Sequence, residues 1–191
     1  ETYSRCRALA SALVNMGLGL GDTVSVIAAN TPEMFEAHFG IPMAGCVLNT
    51  LNTRVEAETI AYILDNSDSK LLIVDTAFHE TVIAALKLLD RDIPVVDIRD
   101  PAMGDLPNIG DRDYEEFIST GDVNFDWKLP EDEWQALALG YTSGTSGRPK
   151  GVVYHHRGSY LMSVGTVTAW ELPHHPTYLY VVPMFHCNGW G

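Results

Sequence analysis

Apolar positions along this 191-residue chain switch repeatedly between two periods. Cys6, Leu9, Ala10 and Leu13 recur at i, i+3, i+4 and i+7, the spacing of one helix face. That face ends where Gly17 can take the left-handed conformation of a C-terminal cap. The apolar run over residues 23–29 predicts a short buried strand. Thr31 followed by Pro32 reads as a side-chain cap with proline at the first helical position. Ala57, Ile60, Ala61 and Leu64 predict a second helical face, and residues 71–74 a buried strand. Phe78, Val82, Ala85, Leu86 and Leu89 predict another helix, followed by a strand over 95–98. Residues 100–113, with their prolines and glycines, read as a surface excursion, and Asn49-Thr50-Leu51-Asn52-Thr53-Arg54 as a structural turn. Strands over 137–141 and 152–154 and a helix from about Arg157 complete the series. The β-α-β-α rhythm predicts an α/β fold with a mostly parallel sheet and covering helices.

Composition sets bounds on this picture. Hydrophobic residues make up 46% and charged residues 19%, an ordinary globular balance able to fill a single core. No apolar run reaches the roughly 18 residues a membrane-spanning helix needs. The net charge of −13 argues against nucleic acid as a partner. Cys6, Cys46 and Cys187 are scattered and odd in number, which suits reduced thiols in a cytoplasm. The charge is also segregated. Residues 1–133 carry a net −15, whereas residues 134–191 carry three cations, Arg148, Lys150 and Arg157, against one acid, Glu171. An anion near that second segment meets little repulsion.

The same segment holds Thr142-Ser143-Gly144-Thr145-Ser146-Gly147-Arg148-Pro149-Lys150-Gly151. Glycines let backbone N–H groups approach a phosphate, hydroxyls donate to its oxygens or ligate Mg²⁺, and lysine adds a mobile charge. An ordinary polar turn uses many of the same residues for conformational reasons, but not four hydroxyls, two glycines and a lysine together. Other motifs are excluded. Lys150 sits between Pro149 and Gly151, so the loop does not end as a Walker A loop must. Gly17, Gly19 and Gly21 precede a strand instead of following one, which makes them a helix cap and turn, not a dinucleotide fingerprint. Neither Ser143 nor Ser146 has the flanking glycines of a nucleophile elbow. The pairs His155-His156 and His174-His175 lack further ligands at metal-binding spacing. Cys187 has no basic neighbour to activate it and reads as packing.

Residues 142–158, through Gly151-Val152-Val153-Tyr154-His155-His156-Arg157-Gly158, resemble the signature loop of the acyl-adenylate-forming superfamily. Thr31-Pro32-Glu33, the segment from Pro42 to Asn52, and Val182-Pro183-Met184-Phe185-His186-Cys187-Asn188-Gly189-Trp190 match in order. The resemblance therefore covers essentially the whole chain. The His-Cys-Asn-Gly-Trp ending is most similar to ligases for medium- and long-chain fatty acids, including those acting on short thioether acids such as 3-methylmercaptopropionate.

The resemblance implies a partial N-terminal AMP-binding domain over residues 1–191, part of the large domain of an adenylate-forming enzyme. The adenine pocket and a small C-terminal domain would lie elsewhere in the protein, so the chain alone would be inactive. It further implies an ATP- and Mg²⁺-dependent acid–CoA ligase that forms an acyl-adenylate and passes the acyl group to the CoA thiol. The intact protein would be a homodimer. Thr142, Ser143, Gly144, Thr145, Ser146, Gly147 and Lys150 would hold the phosphates, with Thr145 on Mg²⁺. Lys150 and His186 would carry catalysis, with His186 and Trp190 bordering the acid. Two alternatives remain open: an adenylate-forming enzyme with a different acceptor, and a catalytically silent nucleotide-binding module.

Overall fold

Every residue of the strands Thr23–Ile27 (β1) and Leu71–Asp75 (β3) is buried, as expected inside a sheet covered on both faces. The computed structural model describes residues 1–142 and 147–186. The other strands among these residues are Val47–Thr50 (β2), Val95–Ile98 (β4), Arg112–Asp113 (β5), Ala136–Tyr141 (β6) and Gly151–His155 (β7). All join one sheet in the order β5-β4-β3-β1-β2-β6-β7. Each neighbouring pair is parallel except β6 and β7, which run antiparallel. The helices are Thr2–Asn15 (α1), Pro32–Met43 (α2), Ala57–Asn66 (α3), His79–Leu86 (α4), Tyr114–Ser119 (α5) and His156–Ala169 (α6).

Side chains alternate across a strand, and β3 shows the consequence. Leu71 and Ile73 enter the core shared with α1, α2 and α5, while Leu72 and Val74 enter the one shared with α3 and α4. A run of apolar residues without polar alternation is what a doubly covered strand requires. On the first face α1 lies directly on α2. A Cβ added to Gly40 would come 2.7 Å from Leu9 Cδ2 and 2.9 Å from the Cys6 carbonyl, so only glycine allows that approach. Arg5 ties the same helices together. Its Nε donates to buried Glu36 at 2.5 Å and its terminal nitrogens to Glu115, while the Tyr114 hydroxyl donates to Glu36 at 3.0 Å. Burial, with the Glu36 charge second, pushes the Tyr114 hydroxyl pKa well up.

Several expectations need correction. Asn49 and Thr50 are not in a turn. They complete β2, paired with Ser25 and Val26, and the turn is confined to residues 52–55, where Asn52 Oδ1 accepts from the Arg54 N–H. Asn49 sits in the sheet because a buried polar cluster receives it: its amide donates to Ser25 Oγ at 2.8 Å, and Ser67 Oγ and Ser69 Oγ lie 2.6 Å apart. The helix expected from Phe78 to Leu89 is shorter. The Asp75 side chain accepts from the Ala77 N–H and starts a separate 3-10 turn, Thr76–Phe78, so α4 begins at His79. The apolar positions Phe78 and Leu89 still pack on the second core from outside the helix. The surface excursion is stapled by Asp97, whose carboxylate accepts from the N–H groups of Ile109 and Gly110, both at 3.0 Å. It ends in β5 and α5, which the apolar spacing did not reveal because α5 is only 6 residues long.

Candidate phosphate loop and acid site

The glycine-rich segment joins β6 to β7 as a hairpin, with Tyr141 opposite Gly151 and the Thr142 N–H donating to the Lys150 carbonyl at 3.0 Å. Its base is therefore closed by backbone pairing. Gly147, in the loop, has φ +140°, a conformation that a residue with a Cβ adopts only under strain. Ser143, Gly144, Thr145 and Ser146 lie outside the described residues, as do Cys187 and Trp190. Both arms of the hairpin lean on α3. The Tyr141 hydroxyl donates to Asn66 Oδ1 at 2.8 Å, and the Arg148 guanidinium lies 5.1 Å from the centre of the Tyr62 ring, within cation–π range. Burial raises the Tyr141 hydroxyl pKa, with Tyr62 adding to the shift.

At the C-terminal ends of β2 and β6 is a cavity of about 280 Å³ whose lining includes Thr50, Asn52, Thr59, Thr142, Tyr154 and His186. Thr142 and His186, at opposite ends of the candidate segments, thus border one space. Open α/β sheets bind ligands at such strand ends. Thr50, Asn52 and Thr59 were not picked out as site residues, since each sits in an unremarkable polar context along the chain. Among the described residues no carboxylate lines this cavity. His186 is exposed, and its N–H donates to the Pro183 carbonyl at 3.1 Å, closing a turn.

The strandless stretch before His186 is held by side chains from elsewhere. Asn30 donates through Nδ2 to the Val182 carbonyl and accepts through Oδ1 from the Met184 N–H, both at 2.8 Å. The His38 ring lies between the Met34 carbonyl (2.7 Å from Nδ1) and the Met184 carbonyl (3.1 Å from Nε2). Burial lowers the His38 pKa, and the hydrogen bonds to the two carbonyls oppose that shift. Thr50 Oγ1 donates to the Phe185 carbonyl at 2.8 Å.

Charge around the loop is less simple than its order along the chain implies. Lys150 is exposed and makes no ion pair among the described residues. Arg157 is paired with Glu133, the residue just before the cationic segment that begins at 134, so part of its charge is already answered by a carboxylate. On the outer side of the hairpin, α3 brings Glu58 and Asp65, together with Asp90, to a cleft of about 710 Å³ shared with Gly147, Arg148 and Pro149. The carboxylates absent from the local sequence are thus brought beside this part of the loop by packing.

Of the four histidines in pairs, His155 and His156 are half-buried at the start of α6, whereas His174 and His175 are exposed. His155 Nδ1 accepts from the Gly158 N–H at 2.9 Å, capping α6, and its ring lies 4.6 Å from that of Trp134. His156 opens α6, and burial lowers its pKa. His174 and His175 meet edge to face at 4.1 Å. Among the described residues no group of three or more His, Cys, Asp or Glu side chains is placed to hold a metal ion, and no helix is long and apolar enough to cross a membrane.

A family model described as AMP-binding enzyme matches residues 1–191. An acetate/butyrate–CoA ligase of Arabidopsis thaliana, described as peroxisomal, is 45% identical over the whole chain. An acetate–CoA ligase of Humulus lupulus is 46% identical, and a 2-methylpropanoate–CoA ligase of the same plant 41%. The chain spans 36% of the length of each of these relatives. Among solved structures, ATP-bound MatB of Rhodopseudomonas palustris superposes with a TM-score of 0.81 at 22% identity, over 99% of this chain and 35% of that one. An o-succinylbenzoate–CoA synthetase of Bacillus subtilis holding its acyl-adenylate gives 0.76 at 21%, over 99% of this chain and 44% of that one.

Proposed function

The chain belongs to the AMP-binding enzyme family, and on that premise we propose that the protein containing it is an ATP-dependent carboxylic acid–CoA ligase. The observation that carries this reading is the cavity where Thr142, at the base of the glycine-rich loop, and His186 border one space with no carboxylate among the described lining residues. In the proposed reaction the substrate carboxylate attacks the α-phosphorus of ATP and pyrophosphate leaves. CoA thiol then displaces AMP from the acyl-adenylate. Little covalent chemistry is asked of the protein in the first step; it must hold the phosphates in line and spread their charge. Lys150 and the hydroxyls of Thr142, Ser143 and Ser146, with the backbone at Gly144 and Gly147, are the groups proposed for that task. Mg²⁺ would supply further charge neutralisation, and the Thr145 hydroxyl suits a hard cation that prefers oxygen.

His186 is proposed to donate a hydrogen bond to the charge developing where carboxylate and phosphate meet, and Trp190 to wall the acid. For the acid itself we favour a short aliphatic chain, the size class of the acetate, butyrate and 2-methylpropanoate named for the relatives. The short thioether acids belong to the same size class, and a medium- or long-chain fatty acid is the alternative that the acid series below tests. We place the whole protein in the cytoplasm as a homodimer. The unpaired, buried Cys6 and Cys46 suit a reducing compartment. A tagged full-length copy found in peroxisomes would overturn the placement, and a monomer by sedimentation would overturn the assembly.

Acid-dependent exchange of pyrophosphate into ATP by the full-length protein tests the core of the proposal, run across straight-chain acids and followed by addition of CoA. Exchange with consumption of CoA supports the ligase. Exchange without thioester points to another acceptor, and no exchange with any acid to a silent module. His186→Ala should lower the exchange rate with little change in ATP binding, and Thr145→Val should raise the Mg²⁺ requirement.

A further inference from the structure

We infer that Asn30, His38 and Thr50 are positioning residues for His186, acting through the backbone of residues 182–185; this rests on the ligase reading above. Residues 182–185 belong to no helix or strand, and the turn closed from the His186 N–H to the Pro183 carbonyl leaves other backbone groups of the stretch to be met from elsewhere. They are met instead by side chains from three separate places: the turn after β1, the middle of α2 and the end of β2. Asn30 pairs a carbonyl and an N–H two residues apart, as a neighbouring strand would. Thr50, itself 5% exposed, holds the carbonyl of Phe185, the residue next to His186. These contacts leave the His186 ring at the cavity while fixing the chain that carries it. Displacing a reacting or stabilising group by about 1 Å costs on the order of 100-fold in rate, so even a modest loosening of this stretch registers in turnover.

A strap that merely stabilises the fold would give the same hydrogen bonds, so the test separates the two roles. In the full-length protein, Thr50→Val removes the donor and keeps the shape, Thr50→Ser keeps the donor, and Asn30→Asp keeps the acceptor but turns a charge toward the Val182 carbonyl. Each is measured alone and combined with His186→Ala, by acid-dependent pyrophosphate exchange and by thermal unfolding. Thr50→Val and Asn30→Asp should each lower the exchange rate about 3- to 10-fold, the effect of one hydrogen bond. The KM for ATP should change less than about 2-fold, and Thr50→Ser should restore most of the rate. In the His186→Ala background the same substitutions should cost nothing further, because no imidazole is left to position. Losses that simply add in that background overturn the inference, as does an unimpaired Thr50→Val. Wild-type exchange by His186→Ala removes its premise, while leaving the ligase reading intact as long as the wild type exchanges.

Discussion

Helices α1 and α6 are both 14 residues long, and they live in opposite surroundings. α1 buries seven residues from Cys6 to Leu13 against α2 and α5, whereas α6 buries none. Tyr160, Leu161, Met162, Val164, Val167 and Trp170 stand exposed along α6. The contrast extends to the regions they represent. Residues 1–120 hold nearly all of the two cores, and Ala138 is the sole fully buried side chain contributed by the described residues beyond them. The stabilising burial therefore lies in the first region, while the loop and the His186 segment lie in the second. The candidate site occupies the seam, where Thr50, Asn52 and Thr59 from the well-packed region share a cavity with Thr142 and His186 from the other. The groups proposed to meet a ligand lie at the edge of the well-packed part without being packed into it themselves.

This contrast is open to direct attack. The largest effect belongs to the packed region: Leu9→Ala, fully buried between α1 and α2, should cost about 2–5 kcal/mol by denaturant unfolding. The same substitution at Leu161 on α6 should stay within about 0.5 kcal/mol in this chain. Equal losses would mean that α6 is as well packed as α1. Next comes chemistry in the less packed region. Lys150→Ala in the full-length protein should remove the charge-assisted phosphate contact proposed for it, worth about 1.5–3 kcal/mol, roughly 10- to 150-fold. The loss should fall on the ATP dependence more than on the acid dependence, and unchanged ATP kinetics would break the assignment.

The smallest predicted effect joins the two regions. The His38 pKa lies below its ordinary value of 6.5, so the unfolded chain binds this proton more readily than the folded one. Above pH 6.5 both states hold neutral imidazole and stability is indifferent to this group. As pH falls from 6.5 through the lowered folded value, stability is lost. His38→Gln should flatten that part of the pH–stability curve. A curve of the same shape in the variant would assign the loss to another group.

Cores and caps left clear local traces. Cys6, Leu9, Ala10 and Leu13 announce α1 because a helix repeats its buried face every three to four residues. The continuous apolar run at residues 71–74 announces a strand covered on both faces. Thr31-Pro32 opens α2 as expected, with the Thr31 hydroxyl accepting from the Met34 N–H at 3.4 Å, and the glycines at 17 and 21 take positive φ as cap and turn. The glycine-rich segment stands out in the sequence because a short stretch carries hydroxyls, glycines and a lysine together; of its structure, the described residues give the paired base at Thr142 and Lys150 and the positive φ of Gly147. What tertiary structure alone decided are relations without a period. Asn49 resembles a turn residue until Ser25 and Ser67 offer partners for its buried side-chain amide. Arg157 counts as a free cation until Glu133 pairs with it, and the outer side of the loop is carboxylate-free until α3 packs beside it. The backbone before His186 has no pattern to declare its conformation, because Asn30, His38 and Thr50 hold it from more than a hundred residues away. Local periodicity records which face of an element is buried. Which elements become neighbours is set by packing and hydrogen bonds between distant residues, and those leave no mark on either partner's own stretch of chain.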